Sequence, residues 1–329
     1  MTSEAGQATA FWTIGERRGE LRRETLPEPG PGEVLVRALF SGISRGSESL
    51  VFTGRVPVAQ AESICAPFQR GAFPWPVKYG YASVGRVETG PEALEGREVF
   101  CLHPHQDRYL VPADAVIPLP DTLPPGRAVL AANMETAVTA LWDGAPGPGD
   151  RIAVIGAGTL GCLVALLSDR IPGCRVTLVD RDPAKQALAE SLGLDFARPE
   201  DAPDQLDLLF HASGSPDGLA LALASAGVEA RVVELSWYGD QPVPVPLGAD
   251  FHVKRLELRS SQVSRLPPER TPRWSFRRRL GLSLELLADP RLDLLITGES
   301  RFAELPDVMA RLADAPSGVV CHRIRYERE

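Results

Sequence analysis

The stretch that decides the fold is RIAVIGAGTLG, residues 151–161. A short apolar run leads directly into Gly156, Gly158 and Gly161, which have the spacing G-x-G-x-x-G. In such a loop the first glycine permits a tight turn, the second lets a diphosphate approach the backbone, and the third lets the following helix pack closely on the strand. The free N–H groups at the start of that helix favour an anion. The stretch therefore predicts a dinucleotide-binding loop.

Apolar strands alternate with helical segments from this loop onward. Six short apolar runs, from RIAVI to RLELRSS, are separated by helical patterns such as PAKQALAESLG. This alternation predicts an α/β fold with a doubly wound parallel sheet of the Rossmann type over residues 121–284. Residues 1–120 show short apolar segments split by Gly and Pro, which predict a β-rich domain. We expect residues 285–329 to pack back on that domain.

The second strand of the Rossmann half places an acid near the predicted cofactor. Asp180 ends the run RVTLVD, 24 residues after Gly156, where its carboxylate can accept hydrogen bonds from the adenosine ribose. Asp180 favours NAD(H) because it would repel a 2′-phosphate, whereas Arg181 could pair with that phosphate and leaves NADP(H) open. Thr159 and Leu160, which begin the helix after the glycine loop, complete the predicted cradle.

Composition restricts the classes of partner. The 329 residues carry a formal net charge of −8, which argues against a nucleic-acid partner, since phosphate binding needs clustered cations. The five cysteines are odd in number and widely spaced, so they predict neither a disulfide framework nor a zinc ribbon, and a reducing cytoplasm fits them best. No leader pattern and no run of about 18 apolar residues is seen. We expect a cytoplasmic protein with a small-molecule substrate and no membrane partner.

Several motifs follow one another in the order found in one enzyme superfamily. They are SGIS after an early strand, YGYASVGRV, VPADAVIPLPDTLP, the Rossmann glycines, FHASGSP, and a closing segment that ends in GVVCHR. The chain resembles the medium-chain dehydrogenase/reductase superfamily, of the zinc alcohol dehydrogenase type, over nearly its whole length. The resemblance implies that the β-rich half is a GroES-like catalytic domain and that the protein is an NAD(P)-dependent oxidoreductase.

The resemblance also assigns residues around the cofactor. It implies that Ser213 and Gly214 contact the cofactor and that Trp237 lies beside the nicotinamide. His211, in the same motif as Ser213, is interpreted as structural. The run RLELRSS matches the edge strand through which relatives dimerise, and so implies a homodimer.

The residues that bind catalytic zinc in the superfamily are replaced in this chain. Ser44 stands where a Cys is expected, Tyr81 where a His is expected, and the third ligand falls near Ala132. Ser and Tyr do not form a stable zinc site, so we predict a protein without zinc. GISRGSESLVFTGRVP and YGYASVGRV also resemble a narrower subgroup that includes the bacteriochlorophyllide a dehydrogenase, although nothing in the sequence identifies a macrocycle pocket.

Hydroxyl groups are the candidates for managing the substrate proton without a metal. Tyr81, Ser44 and Ser47 can donate to an oxyanion, and Glu48 or Lys78 could tune or relay the proton. A Tyr acts as a base at neutral pH only beside a cation, for which Lys78 is the sequence candidate. The structural alternative is that the serines satisfy loop backbone groups and that Glu48 pairs with Arg45.

Two further segments allow both a functional and a structural interpretation. Cys101, His103 and His105 alternate in CLHPH and could form a metal site, although Pro104 interrupts the strand there and favours a strand-end role. Residues 265–279 carry six arginines, among them Arg273, against one glutamate. That segment could attract an anionic substrate or form a solvated helix face.

Three functions remain open from the sequence. The first is a zinc-independent oxidoreductase that moves hydride between a nicotinamide cofactor and a secondary alcohol or ketone. The second is an enoyl or quinone reductase of the same fold. The third is a protein that binds the cofactor without catalysis.

Overall fold

The first part of the chain forms two antiparallel β-sheets. The computed structural model describes residues 6–314 and 316–327. The elements of this part are β1 (Gln7–Gly15), β2 (Arg18–Thr25), β3 (Glu33–Ile43), α1 (Arg45–Phe52), β4 (Arg70–Gly71), β5 (Val77–Lys78), β6 (Ser83–Thr89), β7 (Glu98–Cys101), β8 (Arg108–Pro112) and β9 (Val116–Pro118). One sheet has the order β2-β1-β5-β4, and the other runs through β3, β6, β7 and β9, with β8 paired to β3. The β-rich domain is therefore present.

The middle of the chain forms the doubly wound domain. Its strands are β10 (Arg151–Ile155), β11 (Arg175–Val179), β12 (Asp195–Ala197), β13 (Leu206–His211), β14 (Ala226–Glu234) and β15 (Glu257–Ser260). Its helices are α2 (Pro125–Ala128), α3 (Ala131–Gly144), α4 (Thr159–Asp169), α5 (Gln186–Leu192), α6 (Pro216–Ser225) and α7 (Phe276–Leu286). The six strands are parallel in the order β12-β11-β10-β13-β14-β15, which confirms the predicted Rossmann-type sheet.

The chain then returns to the first domain. The last elements are β16 (Ile296–Arg301), α8 (Leu305–Ala313) and β17 (Cys321–Arg325), and β17 pairs antiparallel with β3. The return begins at Ile296 rather than at residue 285, because α7 and the turn after it stay with the Rossmann half. Leu284 and Leu295 share one apolar cluster with α3 and α4. The turn after α7 is held to the same half by side chains, since Asp289 accepts a hydrogen bond from Arg170 and Arg291 donates to the carbonyl of Leu192.

The edge of the parallel sheet bears on the predicted homodimer. Among the described residues, β15 pairs with β14 on one side only. The homodimer stays a prediction that this edge strand allows. In the same part of the chain, no helix combines the length and apolar character that crossing a bilayer requires.

Candidate active site

The glycine loop between β10 and α4 has an open cradle. Gly156 has φ +111°, and a Cβ there would lie 2.8 Å from the Cα of Ser213. A Cβ at Gly161 would lie 1.8 Å from the carbonyl oxygen of Gly156, so only glycine lets the helix pack this closely. A Cβ at Gly158 would meet nothing within 4 Å. The backbone is therefore exposed on the side where a diphosphate can approach, and the residues fit a dinucleotide.

Asp180 lies at the C-terminal end of β11, against this cradle. One carboxylate oxygen accepts the N–H of Ala157 at 2.7 Å, and the other accepts the N–H of Asp182 at 2.8 Å. The side chain thus fixes the loop and keeps lone pairs for a ribose hydroxyl. Arg181 is exposed, and Thr159 and Leu160 form the first turn of α4.

Two cations that sequence reasoning did not assign to the cofactor lie beside Asp180. Arg45, in the first turn of α1, and Lys185, before α5, both donate to the carbonyl oxygen of Val319, at 3.1 and 2.7 Å. Burial lowers the pKa of both groups, and the positive charge of Arg45 lowers the pKa of Lys185 further. Two neighbouring cations with lowered pKa values favour an anion beside the glycine loop.

The remaining residues assigned to the cofactor lie at the ends of β13 and β14. The backbone of Ser213 is packed against Gly156, and Gly214 has φ +66° and donates its N–H to the Ser236 hydroxyl. Trp237 is partly buried in a cluster of apolar residues from the catalytic domain, to which Tyr79 and Tyr81 belong. Trp237 therefore joins the Rossmann half to the proposed substrate side.

Tyr81 and Ser44, which were predicted to face the substrate, are hydrogen-bonded to each other. The phenol of Tyr81 donates a hydrogen bond to the Ser44 hydroxyl, and Ser47 also hydrogen-bonds the phenol. Burial, reinforced by the nearby Glu48 carboxylate, raises the pKa of Tyr81 to about 12. The phenol is therefore protonated at neutral pH, and the three hydroxyls form one connected group of donors.

Glu48 is a positioning residue, because its carboxylate is enclosed by protein. One oxygen accepts the backbone N–H of Ser44 at 2.7 Å, and the other meets Nε2 of His105 at 2.8 Å. The other ring nitrogen of His105 lies 2.7 Å from the Ser41 hydroxyl, which contacts the phenol of Tyr326 at 3.0 Å. The suggested ion pair between Glu48 and Arg45 is wrong, since Glu48 is bonded to Ser44 and His105, and Arg45 donates to the carbonyl of Val319. This buried chain fixes the first turn of α1 and the serines on it.

Lys78 is not the cation beside Tyr81. Its ammonium donates to Glu24 and to Gln106, both at 2.7 Å, and is buried between them. Gly80, between Lys78 and Tyr81, has φ +138°, so the two side chains point in different directions. A Cβ at Gly80 would lie 3.0 Å from the ring of His105. The three-residue spacing suggested proximity, but the turn at Gly80 removes it.

We expect Lys78→Met to lower the free energy of unfolding by about 1–3 kcal/mol, because Glu24 and Gln106 lose a buried donor. Turnover should not change, since the ammonium does not touch the phenol. Chemical denaturation and steady-state kinetics measure the two effects. Arg70→Met is the matched control, because Arg70 meets Glu24 only at 3.8 Å from an exposed position. A tenfold or larger fall in turnover of Lys78→Met would show that the ammonium acts on Tyr81.

The CLHPH segment does not bring its three side chains together. His103 stacks on Tyr109 with ring centroids 3.8 Å apart and contacts the carbonyl of Pro104, whereas His105 faces Glu48. β7 ends at Cys101, so the alternation expected of a strand does not continue. Across residues 6–314 and 316–327, no three His, Cys, Asp or Glu side chains are grouped so as to hold a metal ion.

The residues at the zinc positions of the superfamily do not fit zinc. Ser44 and Tyr81 supply two hydroxyls already bonded to each other, and Ala132 supplies a methyl group. A protonated phenol with a pKa of about 12 is a poor ligand at neutral pH. The donor set suits hydrogen bonding to an oxygen of the substrate.

Four of the six arginines in residues 265–279 have structural partners, and one of them, Arg270, lies over the ring of Trp142 at 5.2 Å from its centroid. Arg279 is buried against Glu135 and Thr139 of α3, Arg277 donates to the carbonyls of Asp114 and Val116, and Arg278 donates to the carbonyl of Arg273. These contacts attach α7 and the segment before it to their neighbours. Substrate contact by this segment stays a prediction.

Comparison with known proteins identifies relatives and structural neighbours. No family model matches the chain. It is 28% identical over 249 residues to the 2-desacetyl-2-hydroxyethyl bacteriochlorophyllide A dehydrogenase of Cereibacter sphaeroides, covering 67% of this chain and 72% of that protein. It is 26% identical over 321 residues to an uncharacterized zinc-type alcohol dehydrogenase-like protein of Haemophilus influenzae. The match covers 92% of this chain and 84% of that protein.

A solved structure shares the fold over almost the whole chain. It is a protein of Sinorhizobium meliloti described as a zinc-binding dehydrogenase and bound to NADP. The TM-score is 0.76 at 19% identity, and the match covers 97% of this chain and 99% of that protein. This likeness confirms the two-domain architecture.

Proposed function

We propose that the chain, which resembles the medium-chain dehydrogenase/reductase superfamily of NAD(P)-dependent oxidoreductases in sequence and fold, interconverts a ketone and a secondary alcohol without zinc. NAD(H) is the proposed cofactor, because Asp180 lies where a 2′-phosphate would be repelled. The proposed reaction agrees with the name of the Cereibacter relative, a dehydrogenase whose named substrate carries a hydroxyethyl group.

The observation that carries this proposal is the hydrogen bond between Tyr81 and Ser44. These two side chains occupy the positions of two zinc ligands in the superfamily, so their hydroxyls face the same substrate oxygen that the metal would face. A phenol is a stronger acid than an aliphatic alcohol, even with its pKa raised to about 12. The group can therefore supply the proton that a ketone oxygen gains on reduction.

The proposed roles of the residues fall into two groups, cofactor binding and proton transfer. The glycine loop, Asp180, Arg45 and Lys185 hold the dinucleotide, which supplies or takes the hydride when bound. Ser44 donates its proton to the carbonyl oxygen and receives a proton from Tyr81. Ser47 donates a hydrogen bond to the phenol oxygen of Tyr81. The chain from Glu48 to His105 holds Ser44 in place.

A substrate panel tests the reaction class. The purified protein is mixed with NADH or NADPH and with acetoin, simple methyl ketones, enones or quinones, and cofactor absorbance is followed. The proposal predicts turnover with ketones and tighter binding of NADH by calorimetry. Turnover with enones or quinones alone would favour the double-bond or quinone reductase, and tight cofactor binding without any turnover would favour a binding protein.

The direction of proton transfer sets a pH dependence. Alcohol oxidation needs the deprotonated phenol as acceptor, and the pKa of Tyr81 is raised to about 12. The ionised fraction rises tenfold per pH unit below that value, so kcat for oxidation of 2,3-butanediol should rise about tenfold per unit from pH 7 to pH 10. Reduction, which uses the protonated phenol, should not require this rise. An oxidation rate that levels off near pH 7 would contradict the role of Tyr81.

A further inference from the structure

Three side chains at the ends of β13 and β14 form a hydrogen-bonded line. The Ser213 hydroxyl lies 2.6 Å from Nε2 of His211, and Nδ1 of His211 lies 2.8 and 2.9 Å from the two carboxylate oxygens of Glu234. His211 and Glu234 are paired in the parallel register of their strands. The reaction proposed above uses none of these three side chains for proton transfer.

The surroundings of Glu234 fix the direction of the hydrogen bonds. Its carboxylate also accepts the N–H of Ser236 at 2.7 Å and the phenol O–H of Tyr238 at 3.1 Å. Burial alone would raise the pKa of Glu234, but the hydrogen bonds from His211 and Ser236 hold it below its usual value. An ionised carboxylate can only accept, so Nδ1 of His211 carries a proton, and in the neutral imidazole Nε2 then accepts the Ser213 O–H. This is the arrangement of a serine with its base and the group that orients the base.

Gly218 leaves the space that this arrangement needs. A Cβ at Gly218 would lie 2.4 Å from the Ser213 hydroxyl and 2.7 Å from Nε2 of His211. The first turn of α6 can therefore pass directly over the pair. Ser213 lies in a strand–turn–helix connection at the C-terminal edge of the parallel sheet, where nucleophilic serines are presented in other α/β enzymes.

Access differs between the base and the serine. His211 is fully buried, whereas Ser213 is exposed beside the glycine loop. The hydroxyl donates its proton to His211 and accepts the N–H of Ser215 at 3.2 Å, which leaves one lone pair free. A hydroxyl already donating to its base is a poor donor to a phosphate but is suited to attack an electrophile.

We propose that Ser213 is an activated nucleophile, with His211 as its base and Glu234 as the positioning residue, and that it hydrolyses small activated esters. Oγ forms a bond to the ester carbonyl carbon while its proton passes to His211. His211 gives that proton to the leaving oxygen as the ester C–O bond breaks. Water then attacks the acyl carbon while His211 takes its proton; the bond from that carbon to Oγ breaks, the acid leaves, and His211 returns the proton to Oγ. This activity goes beyond the proposed dehydrogenase and does not depend on it.

A fluorophosphonate probe tests the nucleophile on the intact protein. Oγ of Ser213 forms a bond to phosphorus, fluoride leaves, and the proton passes to His211. We expect one probe per chain by intact mass, mapped to Ser213 by peptide sequencing, and slow hydrolysis of p-nitrophenyl acetate. Ser213→Ala should abolish both, whereas Ser264→Ala, which removes an exposed serine elsewhere, should label as the wild type does.

Glu234→Gln separates positioning from folding. It should slow labelling about 10²–10⁴-fold in protein that circular dichroism shows to be folded, since the histidine loses its orienting charge. Glu234→Asp, which keeps the carboxylate, should restore part of the rate. Saturating NADH should protect Ser213, which borders the glycine loop. An unlabelled wild-type protein, a label on another residue, or a labelling rate that folded Glu234→Gln leaves unchanged would each overturn the proposal.

Discussion

Replacing Tyr81 with Phe is expected to lower kcat for ketone reduction about 10²–10⁴-fold, the range typical for loss of a general acid. The phenol is the proton source behind Ser44, and its ring environment is kept by Phe. Loss of the hydrogen bonds to Ser44 and Ser47 should lower the free energy of unfolding by only about 0.5–1.5 kcal/mol. Steady-state kinetics with the best ketone of the panel, together with a denaturation curve, measures both effects.

Tyr79→Phe is the matched control for this change. Tyr79 lies beside Tyr81, with ring centroids 6.0 Å apart, and belongs to the same apolar cluster. Removal of its hydroxyl should leave ketone reduction within a few-fold of the wild type. If Tyr81→Phe reduces ketones as fast as Tyr79→Phe, another group supplies the proton and the proposed role of Tyr81 is wrong.

The second large effect is expected at Gly158. A Cβ at this position meets no protein atom within 4 Å, and the residue has φ −81°, so Gly158→Ala should fold normally. The methyl group would occupy the open side of the cradle and displace roughly two charge-assisted N–H···O bonds, at about 1.5–3 kcal/mol each. We expect the Kd for NADH to rise about 100-fold or more by calorimetry.

Two other glycines provide the controls for this prediction. Gly161→Ala should lower both the melting temperature and the affinity, because its Cβ collides with the carbonyl of Gly156. Gly281 lies within α7, and a Cβ there would meet no atom within 4 Å. Gly281→Ala should therefore lower neither the melting temperature nor the affinity for NADH. Unchanged NADH affinity in Gly158→Ala would show that the dinucleotide does not lie on this loop.

The sequence was most informative where local pattern determines structure. The glycine spacing after an apolar run and the alternation of strand and helix predicted the parallel sheet, since each feature depends on neighbours in the chain. The boundary at residue 285 differs from the structure because Leu287, Leu292 and Leu295, in the turn after α7, can pack on either domain. Their packing in the cluster of α3 and α4 is a tertiary contact that no local sequence pattern predicts.

Side-chain directions at the site were harder to predict. Lys78 was placed beside Tyr81 by its spacing, and the turn at Gly80 sends it elsewhere. Arg45 was considered a partner for Glu48, but its neighbour Asp180 lies 135 residues further along the chain. His105 looked like part of an alternating strand, which ends before Pro104.

One missed group had a visible sequence signal. LDLLFH and ARVVELS were both assigned to the parallel sheet, and each carries a titratable residue at or near its C-terminal end, His211 and Glu234. Ends of neighbouring parallel strands meet at one edge of the sheet, so the pair could have been predicted from the strand order. The sequence alone does not show that β13 and β14 are neighbouring strands with His211 opposite Glu234.

The most direct test of the account is the ketone reductase activity of protein freed of metal by a chelator, with zinc measured by mass spectrometry on the same sample. Because Tyr81 and Ser44 supply hydroxyls where the superfamily has zinc ligands, we predict full turnover at sub-stoichiometric zinc and no gain when zinc is added back. Turnover that falls with the zinc content and returns with added Zn²⁺ would contradict the account.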